Sequence, residues 1–279
     1  MSIHKYISKK EQDNISVLED AIKETSVLVT CMGLYNHGKS TLLNTLVDDF
    51  EHKTFKTADV RETSKNKKFK LNDIVFVDTP GLNAKDDDDK RVMDAVKESD
   101  INLFVHNVST GEFAKKEIEF LQTVKKHWKN PQEFIDRTIF VLTRCDGVSE
   151  SDIKITQQKM KQQIQEIFSS KSSFVAVSAK SYTKGKLEDK KLLVKKSNID
   201  KLEQLLINLK DSLKNSIVKT KKERLERTYE NLINSLNSKI QVNILNISQS
   251  KEELQKIEEN FNNDLSNIET TLGSYYDNL

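Results

Sequence analysis

The sequence predicts an α/β protein with a mostly parallel sheet, helices on both faces, and a C-terminal α-helical hairpin or coiled-coil extension. Two observations lead to this prediction. Short apolar runs typical of buried strands alternate with segments of helical periodicity through roughly the first two-thirds of the chain. From Ser197 to Leu272 the chain then contains no glycine and no proline, which favours long helices.

Each element is predicted from a local pattern of apolar and turn-forming residues. The predicted strands are Ser26–Met32, Lys68–Leu71, Ile74–Val77, Ile101–Val108, Thr138–Leu142 and Ser173–Ser178. The predicted helices are Ile15–Ile22, Lys39–Val47, Ala114–Lys126 and Asp152–Phe168. The second and third strands flank Asn72-Asp73, a turn-forming pair, and should therefore pair with each other.

Three regions are expected: a leading helical segment (1–25), an α/β domain (26–215) and a helical extension (216–279). Apolar residues of the extension recur at intervals of three and four from Leu225 to Leu272, with polar interruptions at Asn243 and Ser250. The extension forms either one long helix or a hairpin that breaks near Asn246–Ser250, where Ser250 and Glu253 have capping-box spacing. The chain stops within this helical pattern, as a piece of a longer protein would.

Composition narrows the classes of function and location. Lys and Arg total 45 against 43 Asp and Glu, a formal net charge of +2, which gives no electrostatic case for a nucleic-acid partner. No apolar run approaches the ~18 residues of a membrane span, and the first ten residues lack an apolar signal core. A cytoplasmic protein is expected, with peripheral membrane contact left open. Cys31 and Cys145 are expected to be buried, reduced thiols.

A phosphate-binding loop is predicted between the first strand and the helix that follows it. Gly33-Leu-Tyr-Asn-His-Gly-Lys-Ser40 fits the pattern G-x-x-x-x-G-K-[ST]. Gly33 and Gly38 let the backbone wrap tightly so that N–H groups face the phosphates. Lys39 should reach the β- and γ-phosphates, and the Ser40 hydroxyl should ligate Mg²⁺. The remaining nucleotide contacts of this segment are expected from Tyr35, Asn36, His37 and Thr41.

Three further motifs each end a predicted strand. Asp78-Thr-Pro-Gly81 supplies a carboxylate for Mg²⁺ and an N–H, that of Gly81, for the γ-phosphate. In Thr143-Arg144-Cys-Asp146, the Asp146 carboxylate can accept from both N1–H and the amine of guanine, a donor pair that adenine lacks. A backbone N–H of Ser178-Ala179-Lys180 can reach guanine O6.

Together these motifs resemble those of the translation-factor-related GTPases, specifically the Era-like and bacterial dynamin-like branches. The resemblance covers about Ser26 to Leu213 and implies a GTP-binding, GTP-hydrolysing switch or mechano-GTPase that uses GTP/GDP and Mg²⁺. Two positions depart from the common pattern. Thr143 stands where many relatives have Asn, a choice that dynamin-like proteins share. Arg144 stands where Lys is usual, so its stem is expected to pack under the base.

The resemblance also implies roles for several further residues. Thr63, favoured over Thr57, would ligate Mg²⁺ in the GTP state. Leu82 lies where Ras-type enzymes have a water-orienting Gln, so another group must assist hydrolysis. Asn36 is similar to the Asn of potassium-activated relatives and would hold K⁺. His37 is expected to face solvent. The expected catalytic set is completed by three residues of the motifs: Lys39, Ser40 and Gly81.

Three functions follow from these observations. The first is a GTPase activated by dimerisation through the α/β domain or the extension, with a protein partner at the C-terminal helices and membrane contact left open. The second is a nucleotide-held scaffold with negligible turnover, favoured by Leu82 and Arg144. The third is an Era-like ribosome- or RNA-associated GTPase, which would need an RNA-binding Gly-x-x-Gly loop that the sequence lacks.

Overall fold

A computed structural model describes residues 7–23, 26–55, 67–82, 86–128 and 130–276. Its strands are β1 (Val27–Met32), β2 (Lys67–Leu71), β3 (Ile74–Asp78), β4 (Ile101–Asn107), β5 (Thr138–Thr143) and β6 (Ser173–Ala176). Its α-helices are α1 (Lys9–Lys23), α2 (Lys39–Leu46), α3 (Asp86–Glu98), α4 (Lys115–His127), α5 (Pro131–Asp136), α6 (Glu150–Phe168), α7 (Ala179–Leu187), α8 (Lys191–Lys196) and α9 (Ile199–Tyr276).

The strands form one sheet in the order β2-β3-β1-β4-β5-β6. All neighbours pair in parallel except β2 and β3, which are antiparallel and joined through the Asn72-Asp73 turn. Asn72 takes a left-handed backbone conformation (φ 53°), which an Asn side chain tolerates better than most. The predicted mostly parallel sheet is confirmed.

Two apolar cores cover the two faces of this sheet, because successive side chains of a strand point to opposite faces. Along β1, Cys31 belongs to one core and Met32 to the other; along β5, Val141 and Phe140 divide in the same way. The first core includes residues of α2 and the beginning of α9, and the second includes residues of α3, α4, α5 and α6. The central strands are therefore buried on both sides, as the continuous apolar runs of the sequence indicate.

The chain divides into two compact units. One contains Lys23–Thr220 and hence the whole sheet; the other contains Met1–Ile22 and Lys221–Leu279. Within the second unit the Tyr229 hydroxyl donates to the Glu19 carboxylate at 2.6 Å, and Leu232 is buried. The boundaries predicted from the sequence (1–25, 26–215 and 216–279) stay a prediction.

The C-terminal extension is a single helix, so the hairpin alternative is wrong. Helix α9 continues through Asn246–Ser250 without a break, and Ser250 lies inside it rather than at a helix start. Many apolar side chains of this helix are exposed: Ile240, Ile244, Ile247, Leu254, Ile257, Phe261 and Ile268. In the part of the chain that the structure describes, no helix combines the length and apolar character that a membrane crossing requires.

Gly33, which follows β1, is expected to be intolerant of any side chain. Its φ is +144°, and an added Cβ would lie 2.1 Å from the carbonyl oxygen of Val105. Gly33→Ala should therefore lower the free energy of unfolding by about 3 kcal/mol or more, from backbone strain and overlap with β4. Urea denaturation of the nucleotide-free protein measures this change.

Gly147→Ala is the matched control for that measurement. A Cβ at Gly147 meets no described heavy atom within 4 Å, so this variant should unfold at nearly the wild-type urea concentration. Equal stability of the two variants would show that Gly33 is not held against β4.

Candidate functional site

The four motifs lie at one edge of the sheet, where the carboxyl ends of its parallel strands meet. The loop after β1 and the segment after β3 contact each other directly. The N–H of Leu82 donates to the Gly33 carbonyl at 3.0 Å, and Leu34 and Leu82 form a parallel bridge. A Cβ on Gly81 would lie 2.7–2.8 Å from backbone atoms of Tyr35, so only glycine permits this approach.

Lys39 is a buried cation in the first turn of α2. Its Nζ donates to the carbonyl oxygens of Gly33 and Leu34, at 3.1 and 3.0 Å. Burial lowers the pKa of Lys39, and the nearby Asp78 carboxylate partly offsets this effect. The side chain therefore curls back over its own loop, with its charge compensated by carbonyl dipoles and a nearby carboxylate.

Ser40 and Asp78, the two predicted Mg²⁺ ligands from described residues, are in direct contact. The Ser40 hydroxyl donates to Asp78 Oδ2 at 2.6 Å. Burial raises the pKa of Asp78, whereas the hydrogen bond from Ser40 and the charge of Lys39 act in the opposite direction. Asp78 Oδ1 is buried and has no hydrogen-bond partner among the described residues. A hydroxyl beside an unsatisfied carboxylate oxygen fits a hard cation such as Mg²⁺.

Thr143 and Arg144 contact the phosphate loop. The buried Thr143 hydroxyl donates to the His37 carbonyl oxygen at 2.7 Å and lies 3.2 Å from that of His106. Arg144 is exposed, has a left-handed backbone (φ 60°), and donates from Nη2 to the Asn36 carbonyl at 2.9 Å. Both residues thus tie the end of β5 to the loop after β1.

Asp146 and Ser178 form the other end of the site. The Ser178 hydroxyl donates to Asp146 Oδ1 at 2.8 Å and accepts the Ser181 N–H at 3.0 Å as the N-cap of α7. Asp146 is exposed, as is Lys180 in the first turn of that helix, and Ala179 is half-buried. The two segments predicted to read the base are therefore adjacent.

The predicted solvent-facing position of His37 is wrong, because this side chain is only 7% exposed. It packs against two residues that sequence reasoning missed, His106 of β4 and Glu117 of α4. Burial alone would raise the pKa of Glu117, but the hydrogen bond from His106 and the neighbouring His37 imidazole hold this pKa below its ordinary value. The sequence signal for this cluster was His106, a polar residue inside the apolar run of β4.

The remaining predicted site residues are distributed as follows. Tyr35 and Asn36 are exposed on the loop, Gly38 precedes α2 with φ +90°, and Thr41 is half-buried in that helix. Thr63 and its rival Thr57 lie outside the described residues. Leu82 is buried and packs in the second core. Cys31 is buried as expected, whereas Cys145 is half-buried; both are free thiols.

Comparison with known proteins extends this description. Residues 28–144 match the family model described as "50S ribosome-binding GTPase". The chain is 36% identical over 183 residues to an uncharacterised protein of Acinetobacter baylyi, covering 64% of this chain and 41% of that one. It is 22% identical over 187 residues to GTPase Der of Buchnera aphidicola subsp. Schizaphis graminum, covering 62% and 39%.

The chain is also similar to the solved structure of an oligomerised bacterial dynamin pair. The alignment covers 91% of this chain and 48% of the dynamin chain, at 17% identity and a TM-score of 0.56. At that identity the likeness concerns the fold alone. The matched regions span about two-fifths of the length of the curated relatives.

Proposed function

From the match of residues 28–144 to a GTPase family model, we propose that the chain carries a P-loop GTPase domain that binds GTP with Mg²⁺ and hydrolyses it as a molecular switch. The observation that carries the proposal is the contact of Ser40 with Asp78 beside the buried Lys39. A hydroxyl, a carboxylate with one unsatisfied oxygen and an ammonium at a glycine loop are the groups that nucleoside triphosphate binding needs.

Each phosphate-side residue exchanges one partner for another when the nucleotide enters. Lys39 leaves the carbonyls of Gly33 and Leu34 and donates instead to phosphate oxygens. Ser40, through its hydroxyl, and Asp78, through its carboxylate, would hold Mg²⁺. Mg²⁺ supplies positive charge to the β- and γ-phosphate oxygens. The Gly81 N–H, held against the loop at Tyr35, contacts the γ-phosphate only in the GTP state.

The base is read by Asp146. Its carboxylate accepts from guanine N1–H and the exocyclic amine, while the Ser178 hydroxyl keeps the side chain oriented. A backbone N–H at Ser178–Lys180 donates to O6. Adenine presents neither the donor pair nor that carbonyl, so the site favours GTP over ATP.

Hydrolysis needs a group that orients the attacking water, and the segment after β3 does not supply one. Leu82 is buried in the core, and its aliphatic side chain cannot orient a water. We assign part of the assistance to hydrolysis to a K⁺ bound at Asn36 and part to Thr63. A second copy of the chain, paired through its α/β domain, would complete the site. Asn36 is exposed on the loop and has a left-handed backbone.

The output of the switch is assigned to the C-terminal extension. Apolar side chains of α9 that are more than half exposed, such as Leu254, Ile257 and Phe261, favour association with a second copy or a protein partner. The bacterial dynamin pair that shares this fold is described as oligomerised and as tethering membranes. By that analogy the same helix suits a homodimer, with membrane contact at its periphery.

Two other functions have specific support. Buried Leu82 favours the nucleotide-held scaffold, because a site without a water-orienting group turns over slowly. The family description favours a ribosome-binding GTPase. Neither alternative accounts for the exposed apolar face of α9 as directly as self-association does.

The test is GTP turnover with Mg²⁺ in KCl or NaCl, across a dilution series of the protein. We expect turnover per chain to fall on dilution and to fall at least tenfold, roughly one lost charge contact, when Na⁺ replaces K⁺. An Asn36→Ala variant should remove the difference between the two salts.

Three results would contradict parts of this proposal. Equal turnover in the two salts would contradict a role for K⁺. Turnover per chain that does not change on dilution would contradict activation by dimerisation. Tight GTP binding without single-turnover hydrolysis in either salt leaves the scaffold function instead.

A further inference from the structure

Three buried side chains form a cluster beneath the phosphate loop. His37 comes from the loop, His106 from β4 and Glu117 from the first turn of α4, and they are 7%, 1% and 0% exposed. One nitrogen or oxygen atom from each lies within 4.8 Å of the others. The proposed GTP chemistry uses none of these side chains.

The contacts of His106 leave one of its ring nitrogens facing the Glu117 carboxylate. Its Nε2 lies 2.8 Å from the carbonyl oxygen of Gly111, which can only accept, so Nε2 carries a hydrogen. Its Nδ1 then faces the Glu117 carboxylate, at 2.9 and 3.1 Å from the two oxygens. A nitrogen lone pair and a carboxylate at this distance need a proton or a metal ion between them.

His37 supplies a third donor atom that lacks a partner. Its Nδ1 is buried, lies 3.5 Å from Glu117 Oε1, and makes no hydrogen bond to any described residue. The two imidazole rings stand edge to face, 5.1 Å apart between centroids. A buried nitrogen left unsatisfied costs about 1–3 kcal/mol, which metal coordination would recover.

The outer contacts of the cluster are those of a metal site. His106 donates its other ring N–H to a backbone carbonyl, and Glu117 Oε2 accepts the Ala114 N–H at 2.9 Å. Such contacts fix the orientation of ligating His and carboxylate side chains. Two imidazoles and one carboxylate form a ligand set that zinc takes with a water as its fourth ligand.

The distances are compatible with that ion. Ligand atoms around tetrahedral zinc lie roughly 3.3 Å apart, given bonds of about 2.0–2.1 Å. The Glu117 oxygens are 2.9–3.5 Å from the two imidazole nitrogens, so small side-chain rotations suffice. We propose that His37, His106 and Glu117 bind one divalent transition-metal ion, zinc by its ligand chemistry, separate from the Mg²⁺ position at Ser40 and Asp78.

This ion would connect three elements of the domain: the phosphate loop, the end of β4 and the start of α4. The assignment does not depend on GTP hydrolysis, because the cluster is described without nucleotide. A metal site can be present in a chain that never turns over GTP, and turnover can occur without the metal.

The experiment uses the untagged full chain, stripped with a chelator, reloaded with zinc and passed through a desalting column before elemental analysis. We expect one zinc per chain, retained in excess Mg²⁺, and visible absorption of a tetrahedral ion when Co²⁺ replaces zinc. His37→Ala and Glu117→Gln should each weaken zinc binding by more than the roughly 10–100-fold that loss of an outer-shell contact causes.

His127→Ala is the control, since His127 is an exposed residue on the same helix α4. It should bind zinc like the wild type. Before zinc is measured, the circular dichroism spectrum of each cluster variant is compared with that of the wild type, so that a loss of zinc binding is not mistaken for a loss of fold. The assignment would be overturned if the wild type bound no metal, or if both cluster variants still bound one zinc per chain. His106 and Glu117 would then share a proton instead.

Discussion

Replacing Lys39 with alanine is expected to abolish GTP turnover and to weaken GTP binding by roughly 30- to 4000-fold. Losing a desolvated charge partner of a phosphate costs about 2–5 kcal/mol, and each 1.4 kcal/mol is tenfold in Kd. Stability should change little or rise. The Lys39 ammonium is buried, its pKa is lowered by that burial, and the structure gives it only two carbonyl hydrogen-bond partners among the described residues. Calorimetric titration with a non-hydrolysable GTP analogue measures the affinity.

Lys53→Ala is the matched control, because Lys53 is an exposed lysine that pairs with Glu51. It should bind and hydrolyse GTP like the wild type. Thermal unfolding of both variants shows whether the fold is kept. A Lys39→Ala protein that binds the analogue with wild-type affinity would mean that the phosphates do not lie at this loop.

Replacing Asp146 with asparagine is expected to change which nucleotide the protein prefers. In the proposed site the carboxylate accepts two hydrogen bonds from guanine, each worth about 1.5–3 kcal/mol to a charged group, so GTP binding should weaken roughly 100-fold or more. The new amide carries an NH₂ donor, which suits the C2 carbonyl of xanthine. The Asp146→Asn protein should therefore bind XTP more tightly than GTP, the reverse of the wild type.

Titration of each protein with fluorescent GTP, XTP and ATP measures this reversal. Asp94→Asn provides the same chemical change on an exposed part of α3, where Asp94 pairs loosely with Lys97. It should keep the wild-type order of affinities. If Asp146→Asn also kept that order, the base would have to be read elsewhere.

Much of the fold could be predicted because its signals are local. Short apolar runs such as Ile101–Val108, bounded by turn-forming residues, favour a buried strand. The spacing of Gly33, Gly38 and Lys39 needs a tight loop between a strand and a helix. The positions of Asp78 and Asp146 follow from the same logic, because parallel strands deliver the residues after them to one edge of the sheet.

What the sequence concealed depends on distant partners or on competing local signals. The burial of His37 is set by Glu117, eighty positions away, so a polar loop residue was expected instead. Helix α3 begins at Asp86, and its acidic first residues give no apolar periodicity from which a helix could be predicted. Ser250 and Glu253 can cap a new helix or continue an old one, and the structure continues it.

The hydrogen bond of the Thr143 hydroxyl affects which ligands can fill the whole of the proposed site. It is bonded to the His37 carbonyl in the loop that precedes Lys39, and its own strand leads to Asp146 three residues later. In the proposed GTP site, the base and phosphate subsites would thereby be held at a fixed distance from each other before a nucleotide binds. Free phosphate or free guanine can fill only one end of that span, so full affinity requires a molecule with both parts at the matching separation.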